Sequence, residues 1–161
     1  ALIEAGDEFG MGMCGMRAID SLRIEKTYRL WARDLTRDYT ILEAGLGRFV
    51  HLDKGDFVGR DALLRQEEAG IPRAFVCLDV HGVTDSDAIG DEPLYQGDIM
   101  VGRVTSGAYG HFVGKSLALG YVEAGKGTPG TRLEIVILGQ RYPATVIEPS
   151  PYDPENASLK S

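Results

Sequence analysis

Two cysteines in 161 residues, one tryptophan and no apolar run near the ~20 residues of a bilayer-spanning helix exclude several classes of protein before any motif is read. Cys14 and Cys77 lie far apart, with no CxxC and no histidine at ligand spacing. They read as two reduced, buried thiols rather than a disulfide framework or a zinc site. Cations are in deficit: 17 Lys and Arg against 24 Asp and Glu leave a formal charge of -7. A binder of phosphate backbones presents the opposite balance, so nucleic acid is not an expected partner. Residues 1–10 lack the basic start and long apolar centre of a secretion signal, which leaves a soluble protein with no membrane partner. His51, His81 and His111 are widely separated, with no carboxylate in metal-ligand register, so no metal ion is expected. A catalytic triad, a phosphate loop and a dinucleotide-binding unit are also missing, and residue chemistry alone assigns no catalytic residue.

What is present is a globular composition, 43% hydrophobic and 25% charged, long enough for one domain or slightly more. Ala1 to Phe9 is helix-compatible, and the GMGMCGM run after it halts a helix. Leu22, Ile24, Tyr28, Leu30 and Trp31 form a mixed pattern that we read as a strand over Ala18 to Ile24. Asp34 to Thr40 is turn-like, LEAGLG from Leu42 marks a helix end or close backbone approach, and Phe49, Val50 and Leu52 suggest a short strand. DFVGRDALLRQEEAG from Asp56 is the clearest helix, stopped by Gly70 and Pro72. Asp61 falls in its first turn.

Beyond Pro72 the texture changes. Short β-branched runs recur at Ala74 to Val80, Leu94 to Tyr95, Ile99 to Thr105, Ser116 to Val122, Arg132 to Leu138 and Arg141 to Ile147. Six strands with regular turn signals indicate an antiparallel barrel or sandwich. The last two flank Gly139-Gln140 as a hairpin, and GRVTSG from Gly102 suits a strand running into a tight turn. After Glu148, three prolines and a polar ending indicate an extended tail.

The phrases AIDSLRIE, LEAGLG, DFVGRDAL, VGRVTSGAY, SLALGYV and PGTRLEIVILGQRYPATV occur in that order. Together they resemble the carboxy-terminal half of the folate-dependent aminomethyltransferase family, whose founding member is the T-protein of the glycine cleavage system. SLRIEKTYRLW and TSGAYGHFVGKSLALGYV are more similar to the dimethylglycine and sarcosine dehydrogenase branch, flavoenzymes with a folate domain fused behind an oxidase-like domain. The resemblance implies an α+β fold: residues 1–71 the end of a folate-binding α+β portion, 72–152 a six-stranded antiparallel β-barrel, and 153–161 a tail. It implies an enzyme that oxidises an N-methylated amine at FAD, held in upstream domains of the same polypeptide, and passes the one-carbon unit to tetrahydrofolate. The chain, which opens at Ala1 without an initiator Met, is then expected to be a fragment inactive by itself, cytoplasmic, or in the mitochondrial matrix if the source is eukaryotic. A stand-alone aminomethyltransferase and a non-catalytic regulatory relative are the alternatives. The T-protein motif carries a ligand-contacting Arg where this chain has Ile19, a departure shared with the dehydrogenase branch. The aromatic pair near the T-protein carboxy terminus is matched only by Ala157 and Ser158. The proton-handling Asp of the family would lie upstream.

Five residues are candidates for the wall of a folate cavity. Arg23 and Glu25 would share one face of a strand as a partly buried ion pair. Tyr28, Arg29 and Trp31 offer flat rings and a cation suited to stacking on a pterin and gripping glutamyl carboxylates. Glu43 and Asp53 are candidate acids, each beside turn glycines where a carboxylate also serves backbone capping.

Overall fold

The structure, a computed structural model, describes residues 1–160; Ser161, the end of the expected tail, lies outside the described residues. The fold is α+β. Two helices, α1 (Leu2–Asp7) and α2 (Met16–Glu25), lead through irregular chain and a 3-10 turn at Gly47–Phe49 into α3 (Arg60–Ala69). Six strands follow: β1 (Arg73–Val80), β2 (Pro93–Gln96), β3 (Ile99–Gly110), β4 (Lys115–Glu123), β5 (Arg132–Ile137) and β6 (Gln140–Ile147). A last short helix is α4 (Ala157–Lys160). Among the described residues no helix is long and apolar enough to cross a membrane.

The strands close into a barrel in the order β1-β4-β3-β2-β5-β6, every pairing antiparallel, with β1 joining β6. Period-two alternation fills it: Val76, Leu78 and Val80 of β1 point inward to meet Leu94, Val104 and Ile135. The opposite face of β1 and β4 is buried as well. Cys77, Leu117 and Leu119 pack outside the barrel against Ile24 of α2. Ser116 through Val122 are therefore buried without alternation, because α2 covers the sheet at β4.

Several local expectations are corrected. The strand read over Ala18 to Ile24 is the interior of α2. The stretch holds only two β-branched residues, Ile19 and Ile24, and a helix brings Ser21, Ile24 and Glu25 onto one buried face. Phe49 ends a 3-10 turn instead of beginning a strand. Among the described residues, the first 71 hold only an isolated Trp31–Leu35 bridge as β structure. Thr105 to Gly107 is no turn: β3 continues to Gly110 through a bulge, with Val104 opposite Gly120 and Ser106 opposite Leu119. The strands close tightly there, since a Cβ on Gly120 would sit 2.5 Å from the Arg103 carbonyl oxygen. The β5–β6 turn is Leu138-Gly139, one residue earlier than expected, with φ of 48° and 80°. Cys77 is buried as read, whereas Cys14 is exposed; both are free thiols.

The chain after Glu148 folds back on α2 rather than running extended. Ser150 Oγ donates to the Lys26 carbonyl at 2.8 Å, and Lys26 Nζ donates to the Asp153 carbonyl at 2.6 Å and to Asn156 Oδ1 at 2.8 Å.

Candidate functional site

The chemistry-bearing side chains of the first 71 residues converge where α2 lies on the barrel. Arg23 is the hub. Its Nε donates to Asp20 Oδ1 at 3.0 Å, one turn earlier on α2, and Nη1 donates to Asp34 Oδ2 at 2.9 Å and to the Tyr28 carbonyl at 3.2 Å. Asp34 is fully buried, and both its oxygens are taken. Oδ2 also accepts the Leu30 backbone N–H at 2.8 Å, while Oδ1 accepts the hydroxyls of Ser106, at 2.7 Å, and Thr105.

Two consecutive strand residues normally point to opposite faces. The bulge supplies the extra residue that lets Thr105 and Ser106 reach the same carboxylate. Tyr121 of β4 completes the frame, donating its hydroxyl to the Asp34 carbonyl at 2.8 Å and stacking on Tyr39 with ring centroids 3.6 Å apart. Burial pushes the Tyr121 phenol above the usual tyrosine range.

Arg23 forms a wall shared by two clefts. The first, about 440 Å³, is bounded by Ile19, Leu22, Glu25, Tyr28, Phe112 and Tyr152, with Arg23 and Lys26 beside them. Its surface is mainly apolar, and Phe112 meets Tyr152 edge to face at 4.5 Å. The second, about 450 Å³, lies between α2 and the segment carrying Leu30 and Arg33, with Arg17 on its rim. Nη2 of Arg23 is buried without a hydrogen-bond partner among the described residues. A guanidinium donor left open in this way costs stability unless something accepts from it.

Of the five candidate residues, Arg23, Glu25 and Tyr28 meet in the first cleft, while Arg29 and Trp31 do not line it. The expected Arg23–Glu25 ion pair is absent, because the helix directs the two side chains to different partners. Glu25 Oε1 instead accepts the backbone N–H groups of Phe112, at 2.7 Å, and Val113, at 3.0 Å, organising the β3–β4 turn. Tyr28 is half exposed. Arg29 lies over the Phe75 ring at 4.3 Å and donates from Nε to the Ala44 carbonyl at 2.7 Å. Its partial burial lowers the guanidinium pKa. Trp31 is 75% exposed.

Glu43 caps a turn, as read: it accepts the Thr40 N–H at 2.8 Å while its own N–H goes to Thr40 Oγ1 at 3.2 Å. The sequence reading missed Asp34, Ser106 and Thr105, which supply the deepest polar contacts. It also missed Phe112 and Tyr152, distant in sequence from α2. It passed over Gly10, Gly12 and Gly15, which fall at the GxGxxG spacing. There α1 rather than a strand leads into the glycines, so no βα phosphate cradle is built.

Residues 73–153 match the model of the glycine cleavage T-protein C-terminal barrel domain, and residues 1–54 match that of the GCVT N-terminal domain. The chain is 40% identical over 148 residues to the mitochondrial dimethylglycine dehydrogenase of Mus musculus, covering 91% of this chain and 17% of that protein. It is 44% identical over 140 residues to an aminomethyltransferase of Rippkaea orientalis, covering 86% of this chain and 37% of that protein. Among solved structures it is similar to the crystal structure of glycine cleavage system aminomethyltransferase T from Bartonella henselae. The TM-score is 0.78 at 28% identity, covering 84% of this chain and 38% of that one. The chain thus spans well under half the length of the relatives it matches.

Proposed function

The chain belongs to the glycine cleavage T-protein family, and from that premise we propose that it is the carboxy-terminal part of a flavin-dependent N-methyl amine dehydrogenase that hands a one-carbon unit to tetrahydrofolate. The observation that carries the reading is the match to a dimethylglycine dehydrogenase across nearly the whole chain. Ile19, in place of the arginine of the T-protein motif, agrees with that branch. The stand-alone aminomethyltransferase is a second reading, favoured by the identity to the Rippkaea orientalis protein.

The first cleft offers a folate an apolar wall and the flat face of Tyr28, beside the cations of Arg23 and Lys26. Tetrahydrofolate, when bound, supplies the amine that captures the one-carbon unit. What this chain contributes is shelter. Ile19, Leu22 and Phe112 line the cleft with apolar surface that a bound folate would cover, and a one-carbon iminium protected from hydrolysis survives to meet a nucleophile held at high effective concentration. Asp34 supplies no base here, since both its oxygens are occupied by Arg23, Leu30, Thr105 and Ser106. Its role is to hold Arg23, and proton handling falls to an upstream carboxylate.

FAD is assigned to upstream domains of the same polypeptide, so the 161-residue chain alone is colourless and inactive as an oxidoreductase. The test is the intact mass and visible spectrum of the natural full-length protein. Flavin bands on a polypeptide several-fold longer than this chain support the dehydrogenase. A colourless protein of aminomethyltransferase length supports the second reading.

A further inference from the structure

The tail after Glu148 grips the end of α2 residue by residue. Tyr152 donates its backbone N–H to the Glu25 carbonyl at 3.0 Å, Ser150 Oγ donates to the Lys26 carbonyl, and the Ser150 N–H reaches Thr27 Oγ1 at 2.8 Å. Two carbonyls at the helix end are closed from outside the helix. Lys26 holds the tail in return, its Nζ donating to the carbonyls of Tyr152 and Asp153 and to Asn156 Oδ1. An ammonium with three acceptors is saturated.

This grip is polar and superficial. None of residues 150–158 is buried. Thr27 and Ser150, which bond each other, both sit in the left-handed region at φ 54° and 57°, and neither is glycine, so docking carries a backbone cost. A segment that buries no side chain belongs to the least stable part of a fold and opens locally. Yet the tail supplies a wall. Tyr152 meets Phe112 edge to face, and the two rings bound the first cleft together with Leu22 and Tyr28.

We propose that residues 150–156 are a hinged wall of the first cleft, clamped by Lys26, whose docking and the occupation of the cleft by tetrahydrofolate reinforce each other. A ligand that touches Tyr152 binds the docked form better than the open one, and by linkage it holds the tail down by the same factor. Lys26 is here a positioning residue: its three donors go to the tail, and it acts on the ligand through Tyr152. The coupling rests on the folate reading of that cleft, and the two can fail separately.

The test is hydrogen exchange at the Ser150 and Tyr152 amides of the full-length natural protein, beside calorimetric titration with tetrahydrofolate. Saturating tetrahydrofolate is expected to slow that exchange about 5- to 10-fold, the scale of one aromatic contact. Removal of everything after Pro149 is expected to raise the Kd by the same factor. Lys26→Met, which loses the three donors, speeds ligand-free exchange by about 10-fold or more, and Lys26→Arg restores part of the protection. Asn156→Ala also speeds exchange, although Asn156 does not bound the cleft. Tetrahydrofolate that binds while leaving both the exchange and the truncated protein's Kd unchanged overturns the hinged wall and leaves the folate reading standing. Equal ligand-free exchange in Lys26→Met and the unaltered protein overturns the clamp. A full-length protein that binds no tetrahydrofolate loses the folate reading, and the coupling with it.

Discussion

Arg23 of α2 and Asp34, eleven residues on, form an ion pair at 2.9 Å in which the carboxylate is wholly buried and the guanidinium 9% exposed. The pair joins the helix to the barrel, because the same carboxylate takes the hydroxyls of Thr105 and Ser106 from the β3 bulge. Asp34→Ala leaves a buried cation without its counter-charge. It is expected to cost about 3–5 kcal/mol of unfolding free energy, measured by urea titration. A loss below ~1 kcal/mol would mean that the pair does not organise the fold.

Tyr28 and Trp31 are three residues apart but differ in surroundings, since Tyr28 lines the first cleft and Trp31 does not. In the full-length protein, Tyr28→Ala is expected to weaken tetrahydrofolate binding by about 10-fold, of the order of one aromatic contact. Trp31→Ala should have a smaller effect. Titration calorimetry distinguishes them, and equal effects would place the ligand elsewhere.

Leu138 turns the β5–β6 hairpin at φ 48°, a left-handed conformation that disfavours leucine, and its side chain is 84% exposed. Leu138→Asn creates the Asn-Gly pair preferred in such turns. It is expected to raise stability by about 0.5–1 kcal/mol, read as an upward shift in thermal midpoint.

Burial pushes the Cys77 thiol up to about 11, from an unfolded value of 9.0. Below pH 9 both states keep the proton and the stabilisation is fully present; as pH rises from 9 to 11 the unfolded thiol ionises first and stability falls. The raised Tyr121 phenol acts in the same direction above the usual tyrosine range. At pH 8 an alkylating reagent is expected to modify Cys14 in the native chain and to reach Cys77 only in denaturant, counted by intact mass.

The barrel was legible because short β-branched runs recur between turn residues, and all six strands lie where those runs stand, although β4 is buried without alternation and β3 continues past its expected turn to Gly110. The first 71 residues were harder. α2 has apolar residues on both faces, Ile24 toward the barrel and Leu22 outward, and this blurs the helical period into something resembling a strand. Asp34 escaped notice because an acid in a polar turn has no local sign of burial. Its partners Thr105 and Ser106 lie some seventy residues away and reach it only through a bulge. Three of the five candidate residues share a cleft because α2 and the tail enclose it, and the Tyr152 contact follows from the tail folding back rather than from any periodicity.

The most direct measurement is the fate of the one-carbon unit when the full-length protein is incubated with dimethylglycine or sarcosine, with and without tetrahydrofolate. On the proposed function the amine is consumed, and added tetrahydrofolate suppresses formaldehyde release and yields 5,10-methylenetetrahydrofolate in step with amine consumed. Stoichiometric formaldehyde whether or not tetrahydrofolate is present would contradict it.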